Sequence, residues 1–203
     1  KTFPTITSQQ ITTVDIQMTS PSTAWMSTSN GLFKSTDTCN TWNKMFPPAI
    51  NGLFFFNNNE GILYNSSSQG TSTAVGVYHT SDGAASWQPI GSPSENAAGN
   101  NIIQFTDKMH GWFSQTKTLY GTGDGGVTWQ AKFSGSYISD VQFLDSQTGY
   151  VASSNEIYKT TDGGQTWVRN CKIGKGPIWE IFFLDANTGW ACCYDGAILR
   201  LKQ

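Results

Sequence analysis

The chain has 203 residues, enough for one globular domain or two small ones. Its 12 Lys and Arg residues against 14 Asp and Glu residues give a net charge of −2, which argues against a nucleic-acid partner, because such proteins need a clustered basic surface. Aromatic residues make up 13% of the chain, which favours a packed core over disorder, and no apolar run is long enough to span a membrane.

Four eight-residue segments of the chain resemble one another. In each of them an Asp stands five residues before a Trp, and a Ser or Thr stands directly before that Trp. The four pairs are Asp37 with Trp42, Asp82 with Trp87, Asp124 with Trp129, and Asp162 with Trp167. Successive Trp residues are 45, 42 and 38 positions apart, a spacing typical of one four-stranded propeller blade per repeat.

Each segment is interpreted as a hairpin turn that is stabilised from within. A short Asp side chain can accept hydrogen bonds from the amides of its own turn, and Gly adopts a positive φ at low cost. The Trp then begins the next strand and anchors the hairpin by burying its ring. We favour this structural role over catalysis or metal binding, since a catalytic group is rarely needed four times. The first segment has Cys39 and Asn40 where Gly is expected, which predicts a looser turn.

These segments resemble the Asp-box (BNR) repeat, S/T-x-D-x-G-x-T-W, with the best match at residues 161–167. The similarity between repeats extends further, because the pattern of residues 141–160 recurs over residues 181–201. The whole pattern resembles the propellers related to photosystem II stability/assembly factors (the Ycf48-like group), which are common among secreted bacterial proteins. This resemblance implies an all-β propeller of four-stranded antiparallel blades and, because assembly factors assist other proteins, a protein partner.

Alternating apolar residues predict five blades, over residues 11–46, 50–90, 101–133, 137–170 and 178–203. In the blade with the clearest pattern, the expected strands are 138–144, 150–153, 156–160 and 166–169. The fifth blade lacks an outer strand, and residues 1–6 resemble one. We therefore expect a single domain, a five-bladed propeller that the N-terminal strand closes, and a monomer. The alternative is a fragment of a seven- or eight-bladed ring, which should self-associate.

Binding residues are expected at the ends of the blades that carry the longest polar loops, opposite the Asp-containing turns. The candidates are Trp179, Tyr137, Glu95 and Asn101. Trp179 and Tyr137 would stack on a sugar ring or fill the axial channel.

Asp140 and Glu180 occupy the same position in the inner strands of adjacent blades. Paired carboxylates carry out acid–base chemistry in glycoside hydrolases when their separation is suitable. A polar residue at this position also fits the ordinary alternation of the repeat, and we favour that interpretation. The two remain weak catalytic candidates.

Other catalytic and cofactor classes have little support in the sequence. Asp-box sialidases bind the substrate carboxylate with three arginines, and this chain has two, Arg169 and Arg200, so a sialidase is excluded. There is no nucleophile elbow and no phosphate loop. His79 and His110 have no neighbouring ligand at a spacing that suits a metal. We expect no metal and no cofactor.

The cysteines leave the redox compartment open. Cys192 and Cys193 are consecutive in a predicted strand, so they point to opposite faces, and one of them could pair with Cys171. A fully reduced set, with Cys39, is the alternative. The surface is rich in Ser, Thr and Asn and poor in charge, which favours an extracellular or periplasmic location.

The sequence therefore favours a non-catalytic interaction or scaffold module that binds a protein or a glycan through its loop face. The alternatives are a glycoside hydrolase and a lectin, each using an axial pocket.

Overall fold

The structure, a computed structural model, describes residues 13–46, 50–65, 76–92, 102–174 and 176–202. The described residues form five antiparallel sheets joined by turns, which confirms the all-β fold class and the five blades predicted from the repeats. They include no helix that is long and apolar enough to cross a membrane. The predicted role of residues 1–6 in the last blade lies outside the described residues. The chain groups into two compact units, residues 1–97 and 98–203.

The first unit contains two four-stranded sheets. Blade one consists of β1 (Thr13–Met18), β2 (Ala24–Thr28), β3 (Gly31–Ser35) and β4 (Asn43–Phe46). Blade two consists of β5 (Gly52–Phe55), β6 (Gly61–Asn65), β7 (Gly76–Thr80) and β8 (Gln88–Gly91).

The second unit contains three sheets. Blade three consists of β9 (Ile103–Phe105), β10 (Gly111–Gln115), β11 (Thr118–Thr122) and β12 (Gln130–Ser134). Blade four consists of β13 (Ile138–Phe143), β14 (Gly149–Ser153), β15 (Glu156–Thr160) and β16 (Val168–Lys172). The described strands of blade five are β17 (Ile178–Asp185), β18 (Thr188–Cys193) and β19 (Ile198–Lys202).

In every sheet the strands lie side by side in chain order. The turns between the first and second strands and between the third and fourth strands therefore meet at one end of the sheet, which we call the Asp-turn end. The turn between the second and third strands lies at the other end, the loop end.

Stacked aromatic rings join neighbouring blades within each unit. A Phe in the second half of the first strand lies flat against an aromatic ring from the second strand of the preceding blade. The stacked pairs are Trp25 with Phe55, Trp112 with Phe143, and Tyr150 with Phe183, with ring centroids 3.7, 3.5 and 3.6 Å apart. These rings are almost fully buried, so each pair contributes a large apolar contact between blades.

In blades two and four, the Trp that ends the Asp-containing segment packs on the same Phe from inside its own blade. Trp167 meets the Phe143 ring edge to face at a centroid distance of 6.0 Å, and Trp87 meets Phe55 in the same way at 6.2 Å. The repeated Trp is therefore an anchor that fixes the Phe on which the next contact between blades depends.

Candidate functional site

The carboxylate of Asp162 is held by its own turn. Its Oδ1 accepts hydrogen bonds from the Thr160 hydroxyl at 2.8 Å and the Thr166 amide at 2.9 Å, and its Oδ2 accepts one from the Thr166 hydroxyl at 2.6 Å. These hydrogen bonds, the Thr166 hydroxyl first among them, lower the pKa of Asp162 from 3.8 to about 2. Asp82 and Asp124 are held by equivalent bonds, and each has a pKa lowered to about 2.

The prediction of a looser first turn is wrong. Asp37 Oδ1 accepts hydrogen bonds from the Ser35 hydroxyl and the Thr41 amide, at 2.9 Å each, and its Oδ2 accepts one from the Thr41 hydroxyl at 2.7 Å. The backbone also resembles that of the other turns, because Thr38 and Cys39 adopt φ values of 61° and 62° where Gly163 and Gly164 adopt 70° and 83°. Residues other than Gly are strained at these positive φ values, yet the hydrogen bonds to Asp37 are retained.

Each outer strand begins at the residue that follows the Trp of its segment, and not at the Trp itself. In blade four the strand was expected from Thr166 and begins at Val168. The reason is that both the amide and the hydroxyl of Thr166 are bonded to Asp162, so this residue belongs to the turn and cannot join the ladder.

The two candidate carboxylates of the inner strands have different surroundings. Asp140 Oδ1 accepts a hydrogen bond from its neighbour Val141, and its Oδ2 accepts one from the main-chain amide of Ile181 in the next blade, each at 2.8 Å. Glu180 has an exposed side chain. The contacts of Asp140 therefore join two blades, which supports the structural interpretation of this position.

An exposed aromatic pair lies at the loop end of blade five. Trp179 is 58% exposed and Tyr194 is 56% exposed, and their rings meet edge to face with centroids 4.7 Å apart. Tyr137, at the loop end of blade four, is 40% exposed. Glu95 and Asn101 lie outside the described residues. The sequence reasoning missed Tyr194, although an aromatic residue directly before the Asp195–Gly196 turn is a signal for an exposed ring at a loop.

Trp179 lies in a bulge of β17. Ile178 pairs with Cys193 and Glu180 pairs with Cys192, so Trp179 has no partner in the neighbouring strand. A bulge redirects side chains and increases the local twist. Blade four has the same irregularity between Ile138 and Asp140, but the extra residue there is the small, buried Ser139.

The histidines and cysteines form no cluster in the described residues that could hold a metal ion. His110 lies 2.9 Å from a carboxylate oxygen of Asp107, and His79 lies 3.6 Å from one of Glu60. The four cysteines form no disulfide bond in the structure, which corresponds to the reduced alternative and not to a bridge to Cys171. Burial raises the pKa of the Cys171 thiol.

A cleft of about 380 Å³ opens at the Asp-turn end between blades three and four. Its walls carry Asp124 and Asp162, the ammonium group of Lys132, and the amide side chains of Gln130, Gln147 and Gln165. The cleft is on the opposite end of the sheets from the loops where the sequence placed ligand binding.

No protein-family model and no curated protein sequence matches this chain. It is similar in structure to YCF48 from Cyanidioschyzon merolae, with 17% identity and a TM-score of 0.65, over 98% of this chain and 71% of that one. It is also similar to the GH74 enzyme of Niastella koreensis, with 17% identity and a TM-score of 0.70, over 89% of this chain and 33% of that one. A third similar structure is U3-55K, with 8% identity and a TM-score of 0.75, over 96% of this chain and 62% of that one.

These structures share the fold with this chain, while identities this low carry no activity across. The chain spans about one third of the length of the GH74 enzyme. The likeness to YCF48 and to the GH74 enzyme shows that the fold is the β-propeller.

Proposed function

We propose that this chain is a non-catalytic interaction module that binds a protein partner at the loop end of blade five. The observation that carries the proposal is the pair Trp179 and Tyr194, two large aromatic side chains that are both more than half exposed and in contact with each other. Trp and Tyr are the side chains that most often dominate the energy of protein interfaces. A folded protein that leaves such a pair in solvent has a surface suited to a partner.

Acidic residues that neighbour the pair in the sequence favour a basic partner. Glu180 follows Trp179 directly and is exposed. Asp195 follows Tyr194 in the neighbouring turn, where its carboxylate accepts a hydrogen bond from the Ala197 amide at 3.1 Å. A Lys or Arg side chain can lie on the face of a Trp ring while it pairs with a carboxylate. The proposed partner is therefore a protein segment that presents a basic side chain with a long aliphatic stem.

The surroundings of Asp140 support a binding module over a glycoside hydrolase. A carboxylate that accepts main-chain hydrogen bonds from two adjacent blades is engaged in holding the fold, whereas hydrolysis needs both carboxylates free to face one sugar. An extracellular or periplasmic location belongs to the same proposal and is supported by the Ser-, Thr- and Asn-rich, charge-poor composition.

The proposal can be tested by selecting peptides from a random phage-displayed library on the immobilised protein, with a counter-selection on the Trp179→Ala/Tyr194→Ala variant. We expect the selected peptides to be enriched in Lys or Arg. The double substitution should weaken their binding about tenfold or more.

The matched control is Val168→Ala, which removes an apolar side chain that is 70% exposed on the outer strand of blade four. It should leave peptide affinity unchanged. The proposal is contradicted if Val168→Ala weakens peptide binding as much as the double substitution does. It is also contradicted if no selected peptide binds the double variant more weakly than the native protein. The same variants can be tested on a glycan array. If the native protein binds a glycan and this binding depends on Trp179, the partner is a glycan and not a protein.

A further inference from the structure

In blade one and blade four, a lysine fills the space at the Asp-turn end next to the following blade. Lys34 lies over the Trp25 ring, 4.4 Å from its centroid, and its Nζ donates to the Asn58 carbonyl of blade two at 3.3 Å. The equivalent Lys159 lies over Tyr150 at 5.5 Å, and its Nζ donates to a carbonyl in blade five at 3.4 Å. Each lysine therefore closes the gap between two turns.

Blade three has no side chain at this position. Trp112 pairs across the strands with Gly121, where blade one pairs Trp25 with Lys34. The cleft of about 380 Å³ lies in this position and is lined by Trp112 and Gly121. Its volume falls within the range of roughly 300–1,000 Å³ that is usual for small-molecule sites. Gly121 therefore contributes no side chain to the cleft, and the Lys132 side chain lies beside it instead, with its Cγ 3.0 Å from where a Cβ of residue 121 would stand.

The charges on the walls disfavour an anionic ligand. Asp124 and Asp162 line the cleft, and with pKa values of about 2 both stay ionised at neutral pH. Lys132 is the one lysine or arginine of the lining, and within the described part of the chain it has no hydrogen bond or ion pair. The lining therefore carries two negative charges and one positive charge. A neutral ligand meets no group of like charge there, whereas an anion or a cation would.

The hydrogen-bonding groups of the lining call for a ligand with many hydroxyl groups. Gln130, Gln147 and Gln165 line the cleft, and each amide offers both a donor and an acceptor. The carboxylates add acceptors and Lys132 adds a donor. A sugar hydroxyl both donates and accepts, so a ring that carries several of them can satisfy such a mixed lining where an apolar or singly charged ligand cannot.

We propose that the cleft between blades three and four binds a neutral saccharide of one or two rings. This site is separate from the aromatic pair of the proposed function, and it lies at the opposite end of the sheets.

The test restores the arrangement of blade four. Gly121→Lys supplies the missing lysine, and Lys132→Asn in the same variant clears the side chain that would lie 3.0 Å from the new Cβ and introduces the residue found at the matching position, Asn170. The probes are glucose, galactose, N-acetylglucosamine, cellobiose and lactose, titrated into the full chain while the indole N–H signal of Trp112 is followed by NMR. We expect at least one probe to shift this signal in the native chain and none to shift it in the double variant.

A second variant, Gln147→Ala/Gln165→Ala, keeps the test valid if the first one fails to fold. It removes only exposed turn side chains, and it should weaken saccharide binding about tenfold while the unfolding temperature is kept. Lys44→Ala on blade one is the control and should leave binding unchanged. The proposal is overturned if no probe shifts the Trp112 signal, if the shift survives in both cleft variants, or if glucuronic acid or glucosamine binds more tightly than every neutral sugar.

Discussion

Gln104 holds both main-chain groups of Phe143 in the next blade: its Nε2 donates to the Phe143 carbonyl at 3.1 Å, and its Oε1 accepts from the Phe143 amide at 2.8 Å. Gln17 and Gln142 make the same pair of bonds to Phe55 and Phe183. The Phe that stacks on the preceding blade is therefore also fixed through its backbone.

Replacing Gln104 with Leu should destabilise the fold, because it leaves an amide and a carbonyl of the buried Phe143 without partners. An unpaired buried polar group costs about 1–3 kcal/mol, so we expect a loss of about 2 kcal/mol or more in the free energy of unfolding, measured with urea. Gln130→Leu, on an exposed outer strand, is the control and should change it by less than about 0.5 kcal/mol. Equal effects of the two substitutions would show that the backbone bonds contribute nothing.

Gly149→Ala should be destabilising for a steric reason. A Cβ at this position would lie 2.5 Å from ring atoms of Phe143, and that ring is held between Trp112 and Trp167. Overpacking of this kind costs about 1–3 kcal/mol, which thermal and urea unfolding should both detect. At Gly123 no heavy atom lies within 4 Å of the added Cβ, so Gly123→Ala should be neutral. An unchanged unfolding temperature in Gly149→Ala would mean that Phe143 is free to move.

The Asp turns should make stability depend on pH in the acid range. The pKa of Asp162 is lowered from 3.8 to about 2 by hydrogen bonds formed in the fold. A lowered pKa means that the ionised group stabilises the folded state above pH 3.8, and that this contribution is lost as the pH falls towards 2. Thr166→Val removes the largest cause, the hydroxyl bond, and should raise the Asp162 pKa. Carboxyl ¹³C NMR titration would measure the pKa of Asp162 in the native chain and in Thr166→Val. Identical values in the two proteins would contradict this account.

Asp140→Ala separates the structural role of this carboxylate from a catalytic one. It removes the acceptor of the Ile181 amide, and the loss of hydrogen bonds to a charged group should cost about 1.5–3 kcal/mol of unfolding free energy. Glu180→Gln, at an exposed side chain, should leave the stability unchanged. If both variants keep full stability, Asp140 has no structural role and the hydrolase alternative gains support.

The fold was predictable from the sequence because its strongest signals are local and repeated. The Asp and Trp of each segment, five residues apart, predicted the turns, and their recurrence predicted the blades. The sequence predicted a looser turn at Thr38 and Cys39 because Gly is absent there, whereas these residues adopt the positive φ values that Gly adopts in blades three and four.

The candidate sites were less predictable because they depend on what faces a residue across strands or between blades. For Asp140 the sequence favoured the alternation of the repeat over a catalytic pair, but it could not show that the partner is the backbone amide of Ile181. Trp179 was identified as a candidate, whereas Tyr194 was recognised only from its contact with that ring. The cleft depends on the register that sets Gly121 opposite Trp112, which no local pattern reveals.

The hydrogen bonds of the Asp turns also bear on how the chain folds. Every partner of Asp162 lies within four residues of it, so closing such a turn requires little loss of chain entropy. Contacts this close in sequence form early and quickly, whereas the stacking of Trp112 on Phe143 joins residues of different hairpins. We therefore expect the turns to act as independent starting points for folding, with each hairpin formed before the rings that couple one blade to the next.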